Sequence, residues 1–361
     1  MNKQTTIGIL TGGGDSPGIN AALRAIVHRA LAESIEVIGF TDGWRGLIED
    51  QGKPLRSADV SGILHVGGTM LGTSRTNPFH KVTQDDEVRW EPTDKIEAIK
   101  DTWQRRNLDA LIAIGGDDTL GVTHRLTPYG MTMIGIPQTI DNDIAGTDYS
   151  IGFHSALVTV TEALDKLHTT AHAHHRLLIL EVMGRDSGWI GLLGGLAGGA
   201  DVLLVPESNF SVDTVEQQIR RRLEQGKRFS IVVIAEGAKP QELEGRQVAR
   251  GEVDAFGHVQ LGGVGYWLAE QLKAQGNLEM TPRVTVLAYL QRGGVATPFD
   301  RLLATRFGVA AVEFAMEGRT DVMTGLQGTQ VVPVPLGSAL AGTPKPLDPE
   351  LLRVARSIGL S

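Results

Sequence analysis

The chain has no cysteine, an excess of acidic over basic residues and no long uninterrupted apolar run. Without cysteine, disulfides, thiolate metal sites and a cysteine nucleophile are excluded. The most apolar stretch, 189–205, is broken by glycines and by Asp201, which makes it a poor membrane span. A net charge of −8 argues against binding to nucleic acid or to an anionic membrane surface. The first residues do not resemble a signal peptide, and we expect a cytoplasmic protein.

Glycine, by contrast, is abundant, with 45 of 361 residues. Many glycines cluster where predicted strands end, which is typical of loops pressed against a ligand rather than of a flexible linker. A chain of this length can form two lobes, each with its own core. No low-complexity tract and no short-period repeat interrupts the pattern.

Strand-like runs alternate with helical patterns along the whole chain. Predicted strands cover 7–10, 35–40, 111–114, 131–136, 176–182, 229–235 and 284–290, and predicted helices cover 19–31, 153–167 and 300–317. This alternation predicts an α/β protein with two doubly wound, mostly parallel-sheet lobes and the active site in the cleft between them. We predict one lobe from residues 1–150 plus 291–340 and a second from residues 151–290 plus 341–361.

Two of these strands end in glycine or proline and then in acids. Run 111–114 leads into 115–119 (Gly-Gly-Asp-Asp-Thr), and run 131–136 leads into 137–143 (Pro-Gln-Thr-Ile-Asp-Asn-Asp). Acids at the ends of parallel strands are typical of an active-site rim. Carboxylates gathered there would repel one another unless a metal ion or a basic substrate lies among them. The layout predicts a Mg²⁺–phosphate site with a catalytic base.

Asp117 and Asp118 fit the few carboxylates that Mg²⁺ takes from a protein, although an acid pair capping the next helix is the alternative. Asp141 and Asp143, two residues apart in a stretch taken as extended, point the same way. One can then accept a hydroxyl proton while the other orients the hydroxyl or the metal. Thr139, on the same face, can donate to a transferring phosphoryl group. A turn with solvated acids is the alternative here.

The first glycine-rich turn, 11–18, joins a strand to a helix and can direct backbone N–H groups at an anion. Its spacing lacks the Lys-Ser/Thr of a P-loop and is not a clean dinucleotide fingerprint, so a merely tight turn is the alternative. Arginines stand singly at element ends. Arg185 and Arg292 each follow a predicted strand, where bidentate phosphate clamps belong. Four histidines in 168–175 resemble a metal cluster, but a helix–strand connection is the preferred interpretation.

At this point the sequence resembles the phosphofructokinases, which phosphorylate fructose 6-phosphate at its 1-position. The resemblance runs over residues 7–308. It is carried by the blocks 12–18, 67–75, 115–119, 137–143, 181–185, 236–237 and 291–294. The triple glycine before Asp15 and the motif at 43–46 (Gly-Trp-Arg-Gly) are most similar to the branch whose members use either ATP or pyrophosphate.

The resemblance implies a role for each matching residue. Asp141 would be the base that takes the 1-hydroxyl proton, supported by Asp143, and Asp117 would bind Mg²⁺. The transferring phosphate and the donor would contact Gly14, Arg75, Asp118, Thr119, Gln138 and Thr139. The sugar phosphate would contact Thr139, Asp141, Met183, Gly184, Arg185, Glu236, Tyr289 and Arg292, with Arg185 also stabilising the transition state. Arg176 and Arg283 would reach a neighbouring subunit's site, which implies a homodimer or a homotetramer. Residues 1–150 plus 291–340 would be the donor lobe and the remainder the sugar-phosphate lobe.

Asp118 bears on the identity of the donor. ATP users in the family commonly have glycine there, which leaves room for the α-phosphate, whereas a carboxylate costs space and repels it. Asp118 therefore favours pyrophosphate. Pyrophosphate users usually have lysine at the position of Gln138, so Gln138 departs from that pattern and keeps ATP as the alternative donor. Tyr289 replaces a frequent histidine, and His28 and Ser57 replace arginines of an effector site, which makes strong nucleotide regulation unexpected.

The leading hypothesis is a Mg²⁺-dependent, reversible pyrophosphate–fructose 6-phosphate 1-phosphotransferase, with an ATP-dependent kinase of the same fold as the alternative. A dinucleotide-binding oxidoreductase would use the first glycine turn but leaves Asp117, Asp141 and Asp143 unexplained. A non-catalytic sugar-phosphate sensor would not need a catalytic base.

Overall fold

The computed structural model describes residues 4–84, 87–253 and 259–360. Its strands are β1 (Thr6–Thr11), β2 (Glu36–Phe40), β3 (Gly52–Pro54), β4 (Phe79–Gln84), β5 (Glu87–Pro92), β6 (Ala110–Gly115), β7 (Met133–Thr139), β8 (Ile151–Gly152), β9 (Leu177–Val182), β10 (Val202–Leu204), β11 (Ser230–Ala235), β12 (Ala249–Val253), β13 (Val259–Leu261), β14 (Arg283–Val286), β15 (Val322–Gln327) and β16 (Gln330–Pro335). Its α-helices are α1 (Ile19–Ala32), α2 (Trp44–Ile48), α3 (Lys95–Arg105), α4 (Asp117–Leu126), α5 (Phe153–His174), α6 (Trp189–Gly198), α7 (Val212–Glu224), α8 (Val264–Gln275), α9 (Pro298–Met316), α10 (Leu336–Ala341) and α11 (Pro349–Ser357).

The larger sheet has the strand order β16-β15-β7-β6-β1-β2-β3, with β8 paired to β7. Its central strands are parallel, and antiparallel pairs occur where β3 joins β2 and where β16 joins β15. Helices α1 and α9 cover one face with a core that includes Ile26, Ile112 and Phe307. Helices α2, α3 and α4 cover the other face around Phe40, Trp44 and other buried side chains. Both faces of a parallel sheet are therefore buried, as its continuous apolar strands require.

The smaller sheet has the order β10-β11-β9-β14, and all its pairs are parallel. Helices α5 and α6 pack on one face, and helices α7 and α8 pack on the other. The strands of the large sheet come from residues 6–139, 151–152 and 322–335, whereas those of the small sheet come from residues 177–286. Residues Leu347, Ala355 and Leu360 are buried in the core formed by α5 and α6.

The predicted α/β class with mostly parallel sheets is confirmed, but several local predictions need correction. The predicted strand 284–290 is too long, because β14 ends at Val286 and residues Ala288–Gln291 form a 3₁₀ turn with Ala288 at φ 40°. The antiparallel hairpins β4–β5 and β12–β13 were not predicted. Helix α5 runs on to His174, so most of the histidine-rich stretch is helical rather than a connection.

In the described part of the chain, no helix is both long and apolar enough to cross a membrane. The stretch 189–205 instead forms helix α6 and strand β10, both packed inside the smaller lobe.

Candidate active site

The turn after β1 lies at the centre of the large sheet's carboxyl edge. The backbone N–H of Gly12 donates to the carbonyl of Ile114 at the end of β6 (2.9 Å). The hydroxyl of Thr73 donates to the carbonyl of Gly13 (2.7 Å), and that of Thr11 donates to the carbonyl of Gly72 (2.6 Å). These bonds fasten the segment that carries Arg75, whose side chain is exposed, against the glycine turn. Two of the predicted donor-binding blocks are therefore adjacent.

Asp117 and Asp118 lie in the first turn of α4, directly after β6. Gly116 occupies the capping position and no side chain caps the helix, so both acids lie where the helix dipole stabilises negative charge. Asp117 is exposed and Asp118 is half-buried. Asp118 interacts with Arg125, whose guanidinium stacks over Trp90 at 4.5 Å from the ring centroid. Burial lowers the pKa of Arg125 to about 10, and Asp118 opposes that shift.

The second acid group lies in a turn, which corrects the expectation of an extended stretch. Strand β7 ends at Thr139, whose hydroxyl accepts from the backbone N–H of Asp141 (3.1 Å). Asn142 has a positive φ of 52°, and its buried amide accepts from the N–H of Ser150 (3.0 Å) and donates to the carbonyl of Asp148 (3.2 Å). The turn is thus held by a buried side chain rather than being a solvated loop, and Asp141 and Asp143 stay close enough to interact.

Both carboxyls have a raised pKa. Burial raises the pKa of Asp141, while Arg292 and Arg185 oppose the rise and Asp117 adds to it. Burial, followed by repulsion from Asp141 and Asp117, raises the pKa of Asp143 well above its ordinary value. The Oδ1 atom of Asp141 is buried and has no hydrogen-bond partner among the described residues. A carboxylate in this setting is able to accept a proton or a ligand atom.

The loop after β9 forms the opposite wall. The backbone N–H of Met183 donates to the side chain of Gln291 (3.2 Å). The side chain of Gln247 donates to the carbonyl of Arg185 (2.7 Å), and a Cβ at Gly237 would collide with that same carbonyl. The Nε of Arg185 is buried and has no hydrogen-bond partner among the residues described. The backbone of Arg185 is held in place while its Nε–H remains available as a donor. Such a guanidinium is suited to binding an oxyanion.

Glu236 and Arg292 complete the charged group. Burial raises the pKa of Glu236 to about 7, with Asp141 adding to the rise and Arg185 opposing it. Arg292 donates to the carbonyl of Asp15 (3.3 Å), and a side chain at Gly14 would collide with its guanidinium. Arg292 therefore lies against the first glycine turn, within electrostatic reach of Asp141.

Thr119 and Gln138 depart from the donor contacts expected of them. Both are about 1% exposed. Thr119 packs beneath Gly12 and Gly115, where a Cβ on either glycine would collide with it. The amide of Gln138 donates to the hydroxyl of Ser16 (2.8 Å). Their side chains support the glycine turn from below and have almost no surface left for a donor.

Arg176 and Arg283 are not brought to this site. Arg176 precedes β9 and Arg283 begins β14, and both side chains are exposed. The loop with Met183 and Arg185 follows the other end of β9, roughly 20 Å away at about 3.3 Å per residue. Tyr289, in the 3₁₀ turn after β14, is 72% exposed.

Several residues around the site were missed by the sequence analysis. Asp186 interacts with both Asp141 and Asp143, although only its place after Arg185 hinted at this. Gln291 lies in the block 291–294 that carries the family resemblance, but no role was predicted for it. Gln247 and Lys345 lie outside all of these blocks.

The residues fit a Mg²⁺ ion that arrives with phosphate. Among the described residues no group of three or more metal-ligating side chains is arranged as a ready cage. Mg²⁺ commonly takes only one or two protein carboxylates and completes its shell with phosphate and water, so such a cage is not required. The exposed Asp117 and the mutual repulsion within the acid group are what a cation would relieve.

Comparisons with known proteins agree with this geometry. A family model described as phosphofructokinase matches residues 6–315. The pyrophosphate–fructose 6-phosphate 1-phosphotransferase of Amycolatopsis mediterranei (strain S699) is 48% identical over 337 residues, 93% of this chain and 94% of that protein. The ATP-dependent 6-phosphofructokinase of Chloroflexus aurantiacus (strain ATCC 29366 / DSM 635 / J-10-fl) is 44% identical over 363 residues, 100% of this chain and 98% of that protein.

A solved structure of phosphofructokinase from Saccharomyces cerevisiae matches with a TM-score of 0.78 at 28% identity. The match covers 99% of this chain and 47% of that one, so this chain spans about half the length of the yeast chain.

Proposed function

This chain belongs to the phosphofructokinase family, and from that membership we propose that it transfers a phosphoryl group from pyrophosphate to the 1-hydroxyl of fructose 6-phosphate. The products are fructose 1,6-bisphosphate and phosphate, and the reaction is reversible and Mg²⁺-dependent. The observation that carries the proposal is the half-buried Asp141–Asp143 pair, in which Asp141 interacts with Arg185 after β9 and with Arg292 beside the first glycine turn.

Asp141 is the proposed base. Its buried Oδ1 accepts the proton of the 1-hydroxyl as that oxygen bonds to the transferring phosphorus and the bond to the leaving phosphate breaks. A raised pKa makes the Asp141 carboxylate a stronger base, and Asp143 supports it. Asp117 would hold Mg²⁺ together with donor oxygens, and the metal would neutralise charge on the phosphates.

The remaining roles are those that the family resemblance implies. Arg185 stabilises the negative charge on the transferring group, while Gly14, Arg75 and Thr139 contact it. The proposed sugar-phosphate ligands are Met183, Gly184, Glu236, Tyr289 and Arg292. Residues 1–150 plus 291–340 form the donor lobe of this proposal, and residues 151–290 plus 341–361 form the sugar-phosphate lobe.

The donor proposal depends on Asp118. A half-buried carboxylate in the first turn of α4 would repel the α-phosphate of a nucleotide and occupy its space. Pyrophosphate has no third phosphate and avoids this cost. The buried Gln138, which donates to Ser16 rather than bearing a cation, favours ATP as the second candidate.

Arg176 and Arg283 support an oligomer in which each subunit completes a neighbouring site. Both are exposed cations at the end of the small sheet remote from the chain's own acid pair. In this proposal they bind the sugar phosphate of an adjacent subunit in a homodimer or homotetramer.

A donor comparison tests the proposal. Purified protein is assayed with fructose 6-phosphate, Mg²⁺ and either pyrophosphate or ATP, and we expect turnover with pyrophosphate. Asp118→Gly should raise kcat/KM for ATP by roughly tenfold or more, because it removes both the charge and the bulk. Asp118→Asn is the matched control, since it removes the charge and keeps the size, and it should give a smaller gain. Product with ATP and none with pyrophosphate would overturn the donor assignment.

A further inference from the structure

Lys345 lies in the segment that joins α10 to α11 and passes beside the acid turn. Helix α10 packs on α4 of the large lobe, whereas α11 packs on α6 of the small lobe. The connecting segment therefore crosses between the two lobes at the level of residues 141–148. The hydroxyl of Thr343 accepts from the backbone N–H of Ala145 (3.2 Å), which gives this crossing a first contact with the turn.

Lys345 adds three hydrogen bonds to the same turn. Its backbone N–H donates to the carbonyl of Asp143 (2.5 Å). Its ammonium donates to the carbonyls of Thr147 and Asp148, each at 3.0 Å. Lys345 thus holds the turn that presents the acid pair at two places, with its backbone at Asp143 and with its side chain at Thr147 and Asp148.

The ammonium and the backbone carbonyl of Lys345 also contact the small lobe. The Nζ lies 5.0 Å from the ring centroid of Trp189, the first residue of α6. The indole N–H of Trp189 donates back to the carbonyl of Lys345 (3.2 Å). A cation held over an aromatic face loses little further freedom when it also binds carbonyls. The lysine is therefore clamped between α6 and the acid turn.

Anchoring of the C-terminal segment does not by itself require these contacts. Leu347 and Ala355 are 5% and 3% exposed and already bury the segment in the core beside α6. Lys345 is half-buried, and its ammonium loses hydration where it donates to two carbonyls of the turn. Anchoring of the segment does not explain this desolvation cost.

We propose that Lys345 is a positioning residue for the phosphoryl transfer: from the C-terminal segment it holds the turn 141–148 so that Asp141 and Asp143 face the cleft. The catalytic effect of Lys345 rests on the proposed function. The tether, meaning the contacts of Lys345 with the turn 141–148, rests on geometry alone. Lys345 touches no reacting atom and acts through the backbone of the turn.

The charge on Lys345 gives the tether a pH signature. Burial lowers its pKa to about 8, while the nearby Asp148 and Asp143 carboxyls oppose that shift. Below about pH 8 the side chain is an ammonium, and above it the neutral amine keeps hydrogen-bond donors but loses the attraction to both acids.

The test compares Lys345→Met, which keeps the stem and removes the charge, with Lys345→Arg, which keeps a cation at every pH. Lys273→Met is the matched control, because Lys273 is exposed in the last turn of α8. We expect Lys345→Met to lower kcat by roughly tenfold to a hundredfold with little change in KM, since misplacing a catalytic group affects the chemical step. Lys345→Arg should retain more activity than Lys345→Met.

The pH profile separates positioning from general stability. The ratio of wild-type to Lys345→Met activity should be largest below about pH 8 and should shrink above it, where the wild-type lysine is neutral. The Lys345→Arg profile should lack this high-pH convergence. A ratio independent of pH, or a kcat equal to that of Lys273→Met, would overturn the proposal.

Amide hydrogen exchange decides the tether without any turnover. Peptides covering 141–150 should exchange faster in Lys345→Met than in the wild type and in Lys273→Met, with melting temperatures recorded for all variants. If neither donor supports turnover, the proposed function fails, yet exchange still tests the tether. Unchanged exchange in this segment would refute it.

Discussion

Asp141 combines burial of one carboxylate oxygen with two arginines and four acids in its electrostatic environment. Burial disfavours the ionised form, whereas Arg185 and Arg292 favour it. The result is a carboxyl whose pKa is raised but which remains paired with cations that a phosphate would share. The competing influences on one side chain explain why this acid, rather than the exposed Asp117, is suited to take a proton.

Asp141→Asn should reduce kcat by roughly 10²- to 10⁴-fold, because the amide cannot accept the hydroxyl proton. Steady-state assays with the preferred donor measure this loss. Asp186→Asn is the control, since it removes one neighbouring negative charge from an exposed position and should retain most activity. Equal activity of Asp141→Asn and the wild type would exclude Asp141 as the base.

The Asp141→Asn variant should not be less stable than the wild type at neutral pH. The folded-state pKa of Asp141 is raised above the ordinary value of an aspartic acid, so its ionised form costs folding free energy at neutral pH, and this cost disappears below about pH 4. Replacing Asp141 by asparagine removes the cost. The melting temperature should therefore equal or exceed that of the wild type at pH 7, and the difference should vanish in acid. A lower melting temperature at pH 7 would show that other contacts of the carboxyl dominate.

At the scale of elements, helices α5 and α9 are joined by a buried carboxylate. Asp300, in the first turn of α9, is 0% exposed and accepts from the backbone N–H groups of Gly152 (3.1 Å) and Ser155 (2.7 Å). It also accepts from the Ser155 hydroxyl (2.6 Å). One carboxylate therefore satisfies the start of α5 from a residue 145 positions later in the chain.

Asp300→Ala should destabilise the protein by about 2–3 kcal/mol, because two buried N–H groups at the start of α5 lose their acceptor. Urea unfolding followed by circular dichroism measures the change. Asp165→Ala is the matched control, since Asp165 is exposed on α5 itself, and it should shift the midpoint little. Comparable losses for the two variants would mean that Asp300 has no special role.

Elements with a clear apolar period were predictable, and those that depend on distant partners were not. The runs that became β1, β2, β6, β7, β9 and β11 each have a continuous apolar stretch, so the local sequence predicted them. β14 is shorter than predicted, because the chain turns into a 3₁₀ segment at Ala288–Gln291 directly after Leu287. Strands β4 and β5 pair antiparallel with no helix between them. The prediction assumed that strands and helices alternate, so it did not include this pair.

At the scale of the whole molecule, Arg176 and Arg283 lie apart from the acid pair of their own chain. This arrangement predicts complementation between subunits. Asp141→Asn and an Arg176→Ala/Arg283→Ala double variant should each be nearly inactive alone, because each lacks one part of every site. After unfolding and refolding together at equal amounts, we expect about a quarter of wild-type activity if sites form between two subunits.

Co-refolded Asp141→Asn and Arg185→Ala provide the control, since both residues come from the same chain in the proposed site. That mixture should remain inactive. Activity of the arginine double variant alone, or an absence of complementation in a mixed oligomer verified by tagging, would refute the shared site.

The fold class, the family and the acids were predictable from the amino-acid sequence, because apolar runs and the residues that follow them occupy consecutive positions. The sequence did not determine the turn at Asn142, whose positive φ is held by Ser150 and by the carbonyl of Asp148. The burial of Thr119 beneath two glycines also depends on strands that meet only in the folded sheet. The tether from Lys345 is the clearest case, since it joins residues about two hundred positions apart that the sequence keeps separate. Tertiary structure decided these features because each depends on which surfaces the folded chain brings into contact.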